Sequence, residues 1–199
     1  LLWQASERTR FGLAYRSKID HTLEGDLKVN GIVAATPVYA DVTLPDSASL
    51  SAFHRVNDRW DVMADVSWMG WRSFDVLNVV NAAGTSVTPR TPEHWDDTWR
   101  VSVGANWRLN DRLPLRGGVA YDETPVSDRF RTARIPDEDR TWLAFGAQYR
   151  LSPQSLIDVG YAHLFIKDAR IDETRSGLAL SGEYDSAVDI LSVQLTHTF

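Results

Sequence analysis

Five charged residues stand close together in the third quarter of the chain: Arg116, Asp122, Asp137, Asp139 and Arg140. Arginine presents a planar fork of donors that meets a carboxylate in two parallel hydrogen bonds. Arg116, Asp122 and Arg140 are therefore a candidate ligand-binding set for the acidic head of an amphiphile. The competing reading, which weighs more on sequence alone, is a ladder of salt bridges bracing neighbouring strands. Asp122, Glu123, Asp128, Asp137, Glu138 and Asp139 supply the hard oxygens that calcium wants. Acids in a polar stretch read first as solvated surface, so no metal and no cofactor is assigned. Arg129, Arg131 and Arg134 suit phosphate groups. The histidines are His21, His54, His94, His163 and His197. With no Gly-x-Ser-x-Gly and no His-Glu-x-x-His, only a convergent Ser–His–acid arrangement would make an enzyme of this chain. No catalytic residue is assigned.

The elements that must position these groups are strands. From Asp189 to Phe199 the chain alternates, with Leu191, Val193, Leu195 and His197 on one face and Ser192, Gln194, Thr196 and Thr198 on the other. A period of two between one apolar and one polar face belongs to a strand separating unlike environments. A terminal aromatic on such a strand resembles the closing strand of a bacterial outer-membrane barrel. Seven earlier segments read the same way: 10–16, 46–55, 60–68, 99–109, 115–122, 142–151 and 157–165. The facing of 46–55 is ambiguous. His163 and His197 fall on the lipid-facing side.

The connectors alternate too. Val56–Asp58, Leu109–Arg112 and Leu151–Pro153 are tight turns rich in Asn, Asp and Pro, whereas 17–45, 73–94, 123–139 and 167–184 are long and polar. Transmembrane barrels have short periplasmic turns and long outer loops. The expected fold is an all-β antiparallel transmembrane barrel of about eight strands in the bacterial outer membrane, its carboxy-terminus in the periplasm. Within the long loops, 22–29 and 38–44 also half-alternate. Trp60, Trp68, Trp71, Trp95, Trp99, Trp107, Tyr121, Tyr149, Tyr161 and Phe199 sit where interfacial girdles belong.

Composition agrees. Mean hydropathy is −0.28, and no apolar run reaches the roughly 18 residues of a membrane helix. Barrel strands escape that measure because each outward residue is diluted by an inward one. Cysteine is absent, which excludes disulfides and thiolate metal sites. The net charge of −6, with Lys and Arg scattered singly, gives no support for nucleic-acid binding. No signal segment is visible at the Leu-Leu-Trp start, as in a mature or trimmed chain.

Several phrases go further. Val42-Thr-Leu-Pro-Asp46, the Trp60–Phe74 strand, His94-Trp-Asp-Asp-Thr-Trp-Arg100, Leu115-Arg-Gly-Gly-Val-Ala-Tyr-Asp-Glu-Thr-Pro-Val126, Arg134-Ile-Pro-Asp-Glu-Asp-Arg-Thr-Trp142 and Asp158-Val-Gly-Tyr-Ala-His163 occur in this order. Together they resemble the carboxy-terminal part of the FadL/TodX family of outer-membrane transporters for long-chain fatty acids and aromatic hydrocarbons. The resemblance implies a fourteen-stranded barrel plugged by an amino-terminal hatch, of which this chain carries no hatch and about eight strands. It is thus either a single barrel domain over 1–199 or the carboxy-terminal portion of a larger barrel. The implied function is passive passage of hydrophobic compounds. The alternatives are a small non-transporting structural or adhesive barrel and, third, a lipid-modifying enzyme. The implied partners are outer-membrane lipids and lipopolysaccharide, a hydrophobic small molecule or detergent, and the barrel assembly machinery. An open sheet edge in hydrocarbon leaves unpaired backbone groups, so the strands must close on themselves, pair with another chain, or belong to something larger.

Overall fold

The structure, a computed structural model, describes residues 1–28, 35–175 and 177–198. Its strands run β1 (Leu2–Gln4), β2 (Thr9–Arg16), β3 (Ile19–Leu27), β4 (Thr36–Leu44), β5 (Ser47–Arg55), β6 (Trp60–Met69), β7 (Val76–Leu77), β8 (Val80–Asn81), β9 (Thr91–Pro92), β10 (Thr98–Asn110), β11 (Leu113–Asp122), β12 (Arg140–Arg150), β13 (Ser155–Ile166), β14 (Ala169–Arg175), β15 (Leu178–Tyr184) and β16 (Ala187–His197). Nine of them form one antiparallel sheet in the order β1-β2-β5-β6-β10-β11-β12-β13-β16. All eight expected strands are there, with the short β1 added. Phe199, on which the terminal-strand reading leaned, lies outside the described residues.

Each tight turn is closed by its own side chain. Asn57 Oδ1 accepts from the backbone N–H of Arg59 (2.9 Å) and Trp60 (3.0 Å). Asn110 Oδ1 takes that of Arg112 at 2.9 Å, and Ser152 Oγ that of Gln154 at 3.2 Å. Asn and Ser can do this because their short side chains mimic a backbone acceptor.

Cross-strand partners point to the same face, so the register assigns every side chain. Leu50 lies opposite Leu13 and Val66. That settles β5: Ala48, Leu50, Ala52 and His54 join the apolar face, and Ser47, Ser49, Ser51 and Phe53 the polar one. The apolar face continues through Val101, Val103 and Val119 to Phe145, Tyr161 and Leu191. Val103 is 52 % and Phe145 56 % exposed, in a band far larger than water tolerates on one surface. Trp60 stacks on Trp107 with ring centroids 5.6 Å apart at the tight-turn end. Trp68 pairs with Trp99 at the other end. Eight residues separate Trp60 from Trp68, about 26 Å at 3.3 Å per residue, and a barrel's apolar band is roughly 25 Å tall. Trp71 and Trp95 do not belong to this girdle. They meet edge-on at 5.0 Å beyond the strand ends, where Phe74 also packs on Trp95 at 4.7 Å.

The sheet does not close on itself: β1 and β16 are its two edges among the described residues. Self-closure of eight strands is thus not what this structure shows. The long connections also hold more order than a polar stretch suggests. β3 and β4 form a hairpin, extended at β4 by β8, and β14 and β15 form a second hairpin inside 167–184. On β14–β15 one face carries the Arg170–Glu183 pair, while Ala169 and Ile171 on the other are 2 % exposed. The residues around them, Val126, Leu164 and Arg131, are buried as well. This small core sits at the long-loop end, because a one-sheet wall has no interior of its own.

Candidate functional site

The polar face is layered. Near the tight turns Asp61 is 2 % exposed and binds Arg108, with Arg55 3.6 Å away on its other side. Arg116 pairs with Asp158 at 3.4 Å, and Gln148 Nε2 donates to both Asp158 oxygens at 2.9 and 3.0 Å. Above this charged layer Gly104, Gly118, Ala144 and Ala162 lie side by side across four strands. A Cβ at Gly118 would stand 3.0 Å from the Val103 carbonyl oxygen and 3.4 Å from Gly104 Cα, so the strands approach here because neither carries a side chain. Higher still, Arg100, Asp122 and Arg140 are register partners on β10, β11 and β12.

The structure therefore divides the set expected from sequence. Asp122 and Arg140 come together, with Arg140 Nε 3.3 Å from Asp122. Arg116 does not join them. It lies on the same face but six residues down β11, about 20 Å away along a strand, and it serves the lower layer with Asp158. The salt-bridge ladder describes Arg116; it describes the upper pair only in part.

Around the upper pair the donors exceed the acceptors. Arg140 Nε faces Asp122 without hydrogen-bond alignment and is buried without an acceptor, as is Trp142 Nε1 two residues on. The Arg100 guanidinium lies 5.0 Å over the Trp142 ring and, among the described residues, has no carboxylate partner. Below them opens a recess of about 610 Å³ lined by Phe53, Met63, Gly104, Gly118 and Ala144, with Arg10 and Asp65 as the charged groups on its wall. Buried donors without acceptors are costly unless something accepts from them. Arg100 and Trp142 Nε1 at the head of a mostly apolar recess suit a carboxylate whose tail runs down the small-residue layer. Arg100 and Trp142 are the residues that sequence reasoning missed. The available signal was a cation and an indole interrupting rows of Gly, Ala and Ser on the inward side of their strands.

The loop acids are occupied. Asp137 accepts from Thr124 Oγ1 (2.6 Å) and pairs with Arg140 (3.4 Å), while Asp139 accepts from Tyr121 (2.6 Å) and Lys167 (2.7 Å). Burial pushes the Asp139 carboxyl up, but hydrogen bonds from Lys167, Tyr121 and the Thr124 N–H outweigh it and hold the group below the ordinary carboxylate range. The same bond and charge raise Lys167. Among the described residues no group of three or more acidic or His side chains is arranged to hold a metal. Arg131 is no surface group either. At 3 % exposed it binds Asp128 (2.7 Å), Glu138 (2.5 Å) and the Asp137 carbonyl (3.0 Å), and reaches the Arg170 carbonyl of β14 at 3.3 Å. It pins the 123–139 loop to the β14–β15 hairpin.

On the apolar face, His197 Nδ1 and Ser155 Oγ share a hydrogen bond of 2.9 Å at the tight-turn end. Thr9 Oγ1 and His54 Nδ1 make the same cross-strand pair at 2.9 Å, at the same end of the same face.

An antiparallel sheet with an apolar band between tryptophan girdles and a polar, recessed inner face is the wall of an outer-membrane β-barrel. The family description "Outer membrane protein transport protein (OMPP1/FadL/TodX)" matches residues 1–199, and the chain belongs to this family. It is similar to Outer membrane protein P1 of Haemophilus influenzae, at 33 % identity over 88 % of this chain and 39 % of the relative. It is also similar to the Long-chain fatty acid transport protein of Escherichia coli, at 24 % identity over 87 % of this chain and 42 % of that protein. The crystal structure of a Pseudomonas aeruginosa FadL homologue superimposes with a TM-score of 0.88 at 28 % identity, covering 98 % of this chain and 50 % of that one. The chain thus spans about half the length, or less, of the relatives it matches. It is a bacterial outer-membrane protein.

Proposed function

We propose that this chain is one wall of a larger barrel that passes hydrophobic compounds across the outer membrane, and that its inner face holds the acidic head of a long-chain amphiphile. The observation that carries this is the pairing of Arg100, which has no carboxylate partner among the described residues, with the buried and unaccepted Trp142 Nε1, both lining a mostly apolar recess of about 610 Å³. A recess of this size is within the range of small-molecule sites. A carboxylate would accept from Arg100 and Trp142 while Asp122 keeps Arg140 in place. The wider barrel follows from the free edge of β16, whose backbone groups need partner strands in lipid. The long loops face outward and the tight turns and carboxy-terminus the periplasm, the arrangement usual in such barrels.

The Ser155–His197 pair favours a second reading, a lipid-modifying enzyme. The Thr9–His54 twin argues against it, since two equivalent hydroxyl–imidazole pairs on one rim are interfacial bracing rather than a single catalytic centre. We therefore read the chain as a transporter segment without catalysis.

The test is uptake by cells of a labelled long-chain fatty acid and of its methyl ester. Arg100→Ala should slow uptake of the acid by about tenfold, a loss of roughly 1.4 kcal/mol, and leave the ester unchanged. Equal effects on both would remove the head-group site.

A further inference from the structure

A second concavity lies outside the lumen, where three long connections converge. It is a cleft of about 300 Å³ between the 89–92 segment, the 129–132 stretch and β14. Arg90 and Arg129 line it without an ion-pair partner among the described residues; Arg129 only stacks over Phe130, 5.4 Å from the ring centroid. Arg134 reaches in from the side, its guanidinium 3.3 Å from Thr91 Oγ1. Of the acids on the far wall, Glu173 is turned to the backbone N–H of Ala133 at 3.3 Å, and Asp172 has no partner among the described residues. The buried Arg131 is already neutralised by Asp128 and Glu138. Arg90 and Arg129 are thus two cations lining one cleft with no ion-pair partner among the described residues, in a chain whose net charge is −6.

The cleft is also held open by rigid parts. Arg131 ties its floor to the β14–β15 hairpin, and Tyr184 donates to the Ala133 carbonyl at 3.3 Å. His94 meets the Phe130 ring edge-on at 4.7 Å, bracing the 71–97 connection against it. An aromatic floor, two free guanidinium groups, a free carboxylate and threonine hydroxyls in a cleft of this size match a phosphorylated sugar. The guanidinium groups take the phosphate, the ring stacks on Phe130, and Asp172 accepts from hydroxyls. We infer that this cleft is a binding site for a phosphorylated saccharide of the lipopolysaccharide core. The inference rests on the outward orientation of the long loops but not on the lumen site.

The protein purified in detergent is titrated with three probes: phosphorylated core oligosaccharide, the same oligosaccharide after phosphatase treatment, and inorganic phosphate. The expected result is that the phosphorylated oligosaccharide binds about tenfold more tightly than either other probe. Arg90→Ala/Arg129→Ala should abolish that binding, and Arg112→Ala/Arg150→Ala, at the tight-turn end, should leave it intact. Asp172→Asn should weaken the oligosaccharide without weakening inorganic phosphate. Binding that is equal for inorganic phosphate and oligosaccharide would make this a simple anion site and overturn the saccharide assignment. Binding unchanged in Arg90→Ala/Arg129→Ala, or absent from the unaltered protein, would overturn the site. Fatty-acid uptake by Arg90→Ala/Arg129→Ala should stay normal, so loss of the lumen reading and loss of this one are separately visible.

Discussion

His163 of β13 and Asp189 of β16 face each other on the lipid side of the sheet, imidazole Nδ1 to carboxylate at 2.7 Å, and the Tyr161 hydroxyl donates to the same oxygen at 2.6 Å. A carboxylate facing a membrane is expensive unless it is paired. Two donors from the next strand are what allow it on that face. His163→Leu should lower the folding yield in detergent, and His163→Leu/Asp189→Leu should recover it. A double-mutant cycle should give a coupling of about 1 kcal/mol. Additive losses would mean the two residues act independently.

The facing of the strands makes a sharper prediction. Val103 and Ser102 are adjacent on β10, yet Val103→Arg places a charge in lipid and Ser102→Arg places it inside. The first should cost roughly 2–4 kcal/mol near the bilayer centre, and the second should be tolerated. Heat-modifiable gel migration of the two variants reads this directly, and equal yields would reverse the assignment of the faces.

Asp61 is buried against two half-exposed arginines, so removing it leaves a void and two cations held close together. Asp61→Ala should destabilise the fold by about 1–2 kcal/mol, less than a fully buried pair would because both arginines reach solvent. Asp158→Ala, from the more open pair with Arg116, should cost about 1 kcal/mol or less. The denaturation midpoints of the variants in detergent would compare them, and equal midpoints would show that burial is not what separates the two pairs.

Two loop carboxyls should respond to pH in opposite senses. Burial raises Glu93, against the lowering effect of the Trp95 N–H bond and the Arg134 charge. Its stabilising share is therefore full below the unfolded value and is lost as pH rises through the raised folded one. Asp139 is lowered, so its share is full above the unfolded value and is lost as pH falls through the lowered one. In limited proteolysis at neutral pH, Glu93→Gln should protect the 71–97 connection, whereas Asp139→Asn should expose 123–139. Protection of both or exposure of both would contradict these environments.

How much of this was legible in the residues follows from what alternation can encode. A period of two placed the eight main strands and the face of almost every side chain. It left Ser47–Arg55 undecided, since Ser, Ala and Leu on both sides give no contrast, and only the pairing of Leu50 with Leu13 and Val66 settled it. It missed β14–β15, where Glu173 and Asp172 break the apolar rhythm. At the site, sharing a face was read as sharing a place. Arg116 and Asp122 do point the same way, but the height of a residue along a strand carries as much meaning as its side. Arg131 could not be known as buried from its type, because its shell joins the Asp128 and Glu138 carboxylates to backbone carbonyls from two separate connections.

The girdle fixes one more thing. Arg100 follows Trp99 in the chain, so the inward donors sit at the depth where the outward indoles meet the lipid head groups. A fatty acid held as proposed by Arg100 and Trp142 would have its carboxylate at that depth and its tail hanging toward the bilayer centre. On the other side of one sheet's thickness, the membrane's own acyl chains stand at the same height and the same way up. On the proposed function, the wall would present its passenger in the posture of a lipid before it has reached the membrane.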